Sequence, residues 1–344
     1  MLTKKQIREI KEHLEKAQNP IFFFDNDCDG LCSFLLLRRY LGRGKGVCVK
    51  TFPSLDVGYF RKVKELNADY VFILDKPDVS EEFFREAEKI NIPLVWIDHH
   101  KIEGQKIPDF VNYYNPAYNK NESIEPVTFL CYNIINRKED LWIAIIGSVT
   151  DSFLPFFYSD FLEKYPELGI KTEKAFDVLY KSKIGEVAKI LENGLKDTTT
   201  NVVNMLKFLI NVKSPYDILE ENAKTYLIHK RSNEIDRKYK SLLLKAKKFA
   251  FGNILFFQYG GDLSISGELS NELSYIFPDK IIIVAYINGT KVNLSLRGKS
   301  IKEKFLKVIS EIENAIGGGH EDAVGGVIQS GDLEKFRREL EKIV

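Results

Sequence analysis

Three hydrophobic runs in the first hundred residues each end on a carboxylate: Ile21 to Phe24 on Asp25, Val71 to Leu74 on Asp75, and Leu94 to Ile97 on Asp98. Short apolar runs separated by amphipathic stretches predict buried parallel strands joined by crossover helices. Such sheets bind ligands at the carboxyl ends of their strands, so the three acids are expected to converge on one edge. The predicted class is α/β, with an N-terminal doubly wound, mainly parallel sheet.

The residues around those strand ends carry the chemistry. The first run continues as Asp25-Asn26-Asp27-Cys28-Asp29-Gly30 and the third as Asp98-His99-His100. Carboxylates packed this closely repel one another unless cations neutralise them. Oxygen ligands with an imidazole suit Mn²⁺ or Mg²⁺, whereas zinc prefers Cys and His. A single strand-end Asp commonly caps a helix, and Asp75 before Lys76-Pro77-Asp78 suits a turn. Neither role calls for three Asp at alternate positions together with a His pair.

On these residues the chain resembles a DHH-family phosphoesterase of the RecJ-like branch. The first motif stands at Asp25 to Gly30, the second at Asp75 and the third at Asp98-His99-His100. A fourth, an Asp shortly after a Gly on an apolar helix, matches Gly147-Ser148-Val149-Thr150-Asp151. A fifth, from the family's C-terminal substrate-binding (DHHA1) domain, matches Gly317-Gly318-Gly319-His320. The resemblance implies two Mn²⁺, with Mg²⁺ as the alternative. By it, Asp27 holds one ion, Asp29 the other, Asp75 bridges them, and His99 and Asp151 complete the second ion's shell. Asp25, counted with the metal set, stands where other branches carry a His ligand. His100 is implied to orient its neighbours or contact phosphate. Asp98 suits an anchor for the imidazoles. Asp75, Asp98, His99 and His100 are therefore the candidate catalytic residues.

The chain has 344 residues, more than one core usually serves, so more than one domain is expected. The expected boundaries are a DHH metal-binding domain over 1–155, a helical connector over 156–248 and a smaller α/β DHHA1-like domain over 249–344. Expected elements include a strand over 46–52, a helix over 80–90 capped by Ser80, and helices over 126–135 and 141–149. Later come strands over 253–258, 280–287 and 291–296 and a helix over 302–315. The glycine triplet reads as a turn whose N–H groups approach phosphate without Cβ obstruction, with His320 beside them. Ser295 and Arg297 end a strand, and the resemblance implies that Arg297 grips a substrate phosphate. The cleft between the two domains is then expected to be the active site. A basic stretch from Lys230 to Lys248, with Tyr226 and Tyr239 interleaved, reads either as a solvated helix face or as a guide for a single strand.

Lys+Arg at 50 against Asp+Glu at 49 gives a formal charge of +1, so any phosphate backbone must be met by local patches. Four Cys without metal-site or disulfide-scaffold spacing are read as reduced core residues of a cytoplasmic protein. The first residues read as an amphipathic helix rather than a signal peptide, and no apolar stretch is long enough for a membrane span.

The leading functional expectation, from the resemblance, is an Mn²⁺-dependent exonuclease on single-stranded nucleic acid. DNA is favoured, and some short archaeal relatives digest from the 3′ end beside a DNA-repair helicase. Replication proteins are further implied partners, and the sequence allows a homo-oligomer. The alternatives are a nano-RNase or small-nucleotide phosphatase, with an inorganic pyrophosphatase disfavoured, and a non-catalytic replication or repair scaffold.

Overall fold

A computed structural model describes residues 1–51, 53–101 and 106–343. Its backbone contacts divide the chain into two units, Met1–Ser232 and Asn233–Val344.

The first unit is built on strands β1 (Pro20–Asp25) and β2 (Lys45–Val49), the two-residue β3 (Ser54–Leu55), then β4 (Tyr70–Leu74), β5 (Asp78–Val79), β6 (Leu94–Ile97) and β7 (Val111–Tyr114). The main sheet has the order β2-β1-β4-β6-β7 and is parallel throughout, while β3 pairs only with β5. Strand order reverses between β1 and β4, the topological switch point at which doubly wound sheets place their ligands. The expected strand over 46–52 appears as β2; Phe52 lies outside the described residues.

Because successive strand residues point to opposite faces, the apolar runs supply two cores at once. Phe22, Phe24, Phe72, Leu74, Val95 and Ile97 face one core. Ile21, Phe23, Val71, Ile73, Leu94 and Trp96 face the other. On the second face lie α3 (Arg61–Glu65) and α4 (Glu81–Lys89), the latter capped by the Ser80 side chain as its sequence indicates. The first face is covered by α1 (Lys4–Lys16), α2 (Cys28–Leu41), α5 (Val127–Ile135) and α6 (Leu141–Thr150). Gly30 lets α2 start against β1, since a Cβ there would stand 2.6 Å from the Asp25 carbonyl oxygen. Gly147 does the same between α6 and α5, where a Cβ would stand 2.2 Å from Thr128 Oγ1.

The stretch read as a helical connector is divided between the units. Helices α7 (Tyr158–Lys164), α8 (Ala175–Lys181), α9 (Lys183–Leu195), α10 (Thr199–Leu209) and α11 (Tyr216–Leu219) pack into the first unit's large core through Phe161, Val178, Leu191, Leu206 and Ile218. Helix α12 (Tyr226–Lys247) carries the chain into the second unit. There Tyr239 is buried in a core with Leu243 and Ala246, so it stands neither on a solvated helix face nor where a strand could stack on it. Lys238 pairs with Asp262 and Lys240 with Asp236, while Lys245, Lys247 and Lys248 are exposed.

The second unit contains β8 (Ile254–Gly260), α13 (Ser266–Ile276), β9 (Ile281–Asn288), β10 (Lys291–Arg297), α14 (Ile301–Ile309), β11 (Ile316–His320), β12 (Ala323–Gln329) and α15 (Leu333–Ile343). Its sheet has the order β11-β12-β10-β9-β8, with β8 parallel to β9 and the other pairs antiparallel. One core lies under α14 and α15 and another under α12 and α13. Gly317, Gly318 and Gly319 form edge strand β11 rather than the expected turn. Packing explains this: a Cβ at Gly317 or Gly326 would come 2.6 Å from the Phe305 ring, so the glycines make room for that ring beneath the hairpin. No helix among the described residues is long and apolar enough to cross a membrane.

Candidate metal centre

The loop after β1 turns directly into α2, and its three Asp take three different positions. Asp25 Oδ1 accepts from Lys76 Nζ at 2.9 Å. Asp27 caps α2, its Oδ1 accepting from the Gly30 N–H at 2.9 Å. Asp29 is buried, and its carboxylate accepts from the N–H groups of Val127 and Thr128 at 2.8 and 2.7 Å. It thus sits on the N-terminus of α5, where exposed N–H groups favour an anion.

Asp75 follows β4 with φ 58°, a left-handed conformation that costs a residue with a Cβ. It is buried, and its Oδ1 accepts no hydrogen bond among the described residues. That oxygen lies 3.4 Å from His99 Nε2 and 3.9 Å from His100 Nδ1. Asp98, fully buried after β6, holds His100 through Oδ1, 2.8 Å from Nδ1, and through Oδ2, which accepts from the His100 N–H at 3.1 Å. His99 Nδ1 is 3.3 Å from the Ile124 carbonyl oxygen and 3.8 Å from Asp151 Oδ2. Asp151 ends α6 and is partly exposed.

Among the described residues of the first unit, two sets of three ligand atoms lie within 4.8 Å of one another, Asp29 with His99 and Asp151, and Asp75 with Asp98 and His100. Burial, and then the charge of neighbouring carboxylates, pushes Asp27 and Asp75 well above the usual carboxylate range. Asp29 is raised to about 6, by burial first and then by Asp151. Burial opposes charge on His99, but Asp151, Asp29 and Asp98 outweigh it and raise its pKa. An acid cluster that disfavours its own ionisation, with a buried oxygen left unbonded, fits hard divalent cations such as Mn²⁺ or Mg²⁺.

Sequence reasoning missed two residues here. Lys76 is fully buried beside Asp25, and its only signal was a charge directly after an apolar run. Glu192, on α9, accepts from the Cys28 N–H at 3.0 Å and pairs with Lys196 at 2.8 Å. Nothing local marks it, since it lies 164 residues from its partner.

In the second unit, Arg297 at the end of β10 donates through Nε to Asn271 Oδ1 at 2.6 Å and through Nη1 to its neighbour's carbonyl, Leu296, at 2.7 Å. Ser295 is buried against Ser266, with the hydroxyls 3.0 Å apart. His320 is half-buried at the end of β11.

Family models match both ends of this arrangement. The DHH family N-terminal domain matches residues 21–147, and the DHHA1 domain matches residues 248–344. The chain belongs to the DHH family. Solved structures of like fold include RecJ from Thermus thermophilus in complex with Mn²⁺, with a TM-score of 0.71 and 15% identity. That match covers 98% of this DHH chain and 54% of the other, so the chain spans about half the length of that RecJ. An exonuclease RecJ bound to manganese matches at TM-score 0.64 and 14% identity over 100% of this chain and 94% of its own. CDC45 from Entamoeba histolytica matches at 0.55 and 11%, over 98% of each chain. At these identities the likeness is one of fold. None of the curated proteins matches the chain by sequence.

Proposed function

We propose that this DHH chain is a divalent-metal-dependent phosphodiesterase that shortens single-stranded nucleic acid, with DNA favoured. The observation that carries the reading is Asp75, a buried carboxylate in strained backbone whose Oδ1 has no hydrogen-bond partner among the described residues and stands beside both histidines. Asp27, Asp29, Asp75, His99 and Asp151 are the residues that would hold two Mn²⁺ or Mg²⁺. When bound, such ions supply Lewis acidity for water attack on a phosphodiester and neutralise charge on its oxygens.

The chain's own groups do the rest. Thr128 and Val127 hold Asp29 by their N–H groups, so its orientation does not depend on the metal. Asp98 engages Nδ1 of His100 and so fixes the orientation of its ring. The acidic edge offers no attraction to a polyanion by itself, so phosphate binding falls to the Arg297 guanidinium, with the His320 imidazole as a further polar group. The exonuclease assignment draws support from the exonuclease RecJ of like fold, while a place in DNA repair or replication rests on the resemblance of the motifs.

Single-stranded DNA and RNA from two to about 30 nucleotides, labelled at either end and incubated with the protein and Mn²⁺, test the reading. Stepwise shortening of long strands is expected. Cleavage confined to dimers and trimers would move the protein to the nano-RNase reading, and no cleavage of any substrate would leave the scaffold reading. Arg297→Ala is expected to raise KM about tenfold or more with kcat largely kept, as for a group that binds substrate and transition state alike. An unchanged KM removes Arg297 from substrate binding.

A further inference from the structure

Lys76 directly follows the strained Asp75, and its side chain is completely buried. Its Nζ donates to Asp25 Oδ1 and to the Thr51 carbonyl oxygen, each at 2.9 Å, while its own carbonyl accepts from Trp96 Nε1 at 3.0 Å. A buried ammonium is tolerated only where partners compensate it. The fold has therefore placed a fixed positive charge inside an acidic cluster.

That charge sorts the acids of the cluster. Asp25 pairs with Lys76, Glu192 with Lys196, and Asp98 with the His100 ring. Asp27, Asp29, Asp75 and Asp151 have no lysine or arginine partner among the described residues. These four carry a formal −4, the charge that two divalent cations neutralise. With Asp25 added as a ligand the set would carry −5, and the charge of Asp25 is already offset by an ammonium that is buried beside it.

We propose that Lys76 is the resident cation of the metal centre: it withdraws Asp25 from the ligand set and leaves four carboxylates matched to two divalent ions. This rests on the reading of the cluster as a two-metal site. Lys76 is then a positioning residue, acting through Asp25 on how much cation the centre takes up.

Calorimetric titration of the full chain with Mn²⁺ tests this without reference to turnover. The wild-type protein is expected to take up two equivalents, and Asp27→Asn to lose one. The neutral pair Lys76→Met with Asp25→Asn, which removes both charges and so avoids stranding either, is expected to take up two equivalents with affinity within about threefold of wild type. Lys76→Met alone exposes the cluster to an uncompensated Asp25, and Mn²⁺ affinity is expected to tighten about tenfold. Loss of an equivalent in the neutral pair would make Asp25 a ligand and overturn this proposal while leaving the metal centre standing. Unchanged affinity in a folded Lys76→Met protein overturns it as well. No uptake by the wild type would overturn the metal centre and, with it, the role of Lys76.

Discussion

Asp75→Asn is expected to yield a folded protein whose Mn²⁺-dependent hydrolysis is reduced by at least about a thousandfold, on the order of 4 kcal/mol of transition-state stabilisation. Asn matches Asp in size and is among the few residues that adopt left-handed backbone readily, so φ 58° is retained. What disappears is the charge and one oxygen of a carboxylate that lies 3.4 Å from His99 and 3.9 Å from His100. The metal-free variant should melt no lower than wild type, because the substitution removes a buried charge that burial and four neighbouring carboxylates disfavour. Hydrolysis rates with Mn²⁺, beside thermal melting in chelator, check both halves. Wild-type turnover would rule out Asp75 as the bridging ligand, and an unfolded variant would mean that the acid serves the fold.

Without metal, the protein is expected to lose stability as pH rises from about 4 to above 6, the reverse of ordinary acid denaturation. For Asp29, raised to about 6 by burial and Asp151, the folded state holds a proton that the unfolded state has released. Protons bound by the folded form exceed those of the unfolded form in this window, so the stability slope with pH is negative. Asp27 and Asp75 are raised too and act in the same direction. His99, also raised, contributes stability that is present below its unfolded pKa and lost as pH rises through its folded one. Asp29 alone makes the effect on the order of 3 kcal/mol. Chemical denaturation in chelator across this pH range reads it, and excess Mn²⁺ should abolish the decline by binding the ionised set. Stability that rises with pH in chelator would show that the acids are solvated rather than buried together.

Much of this site could be read before any coordinates. The apolar runs of β1, β4 and β6 were long enough for strands and too short for the helices between them, and each had an acid at its end. Their alternating side chains then proved to serve both faces of the sheet, as continuous apolar runs in parallel strands must. Ser80 was legible as a cap because capping is local, three residues from its partner N–H. The glycine triplet misled, since glycine signals backbone freedom and close approach equally well. Here the Phe305 ring approaches Gly317, and the triplet forms an edge strand rather than a turn. Tyr239 misled for a similar reason: a tyrosine amid lysines reads as exposed until the sheet it packs on is known.

The sequence by itself determined the parallel sheet and the edge on which its acids gather, because strand periodicity and strand ends are local properties. Only the tertiary structure decided what each acid touches. Asp29 is fixed by N–H groups 98 and 99 residues away, Asp25 by a lysine 51 residues away, and the Cys28 N–H by a glutamate 164 residues away. Such pairings follow from which strand lies beside which and which helix covers them, and no spacing along the chain encodes that.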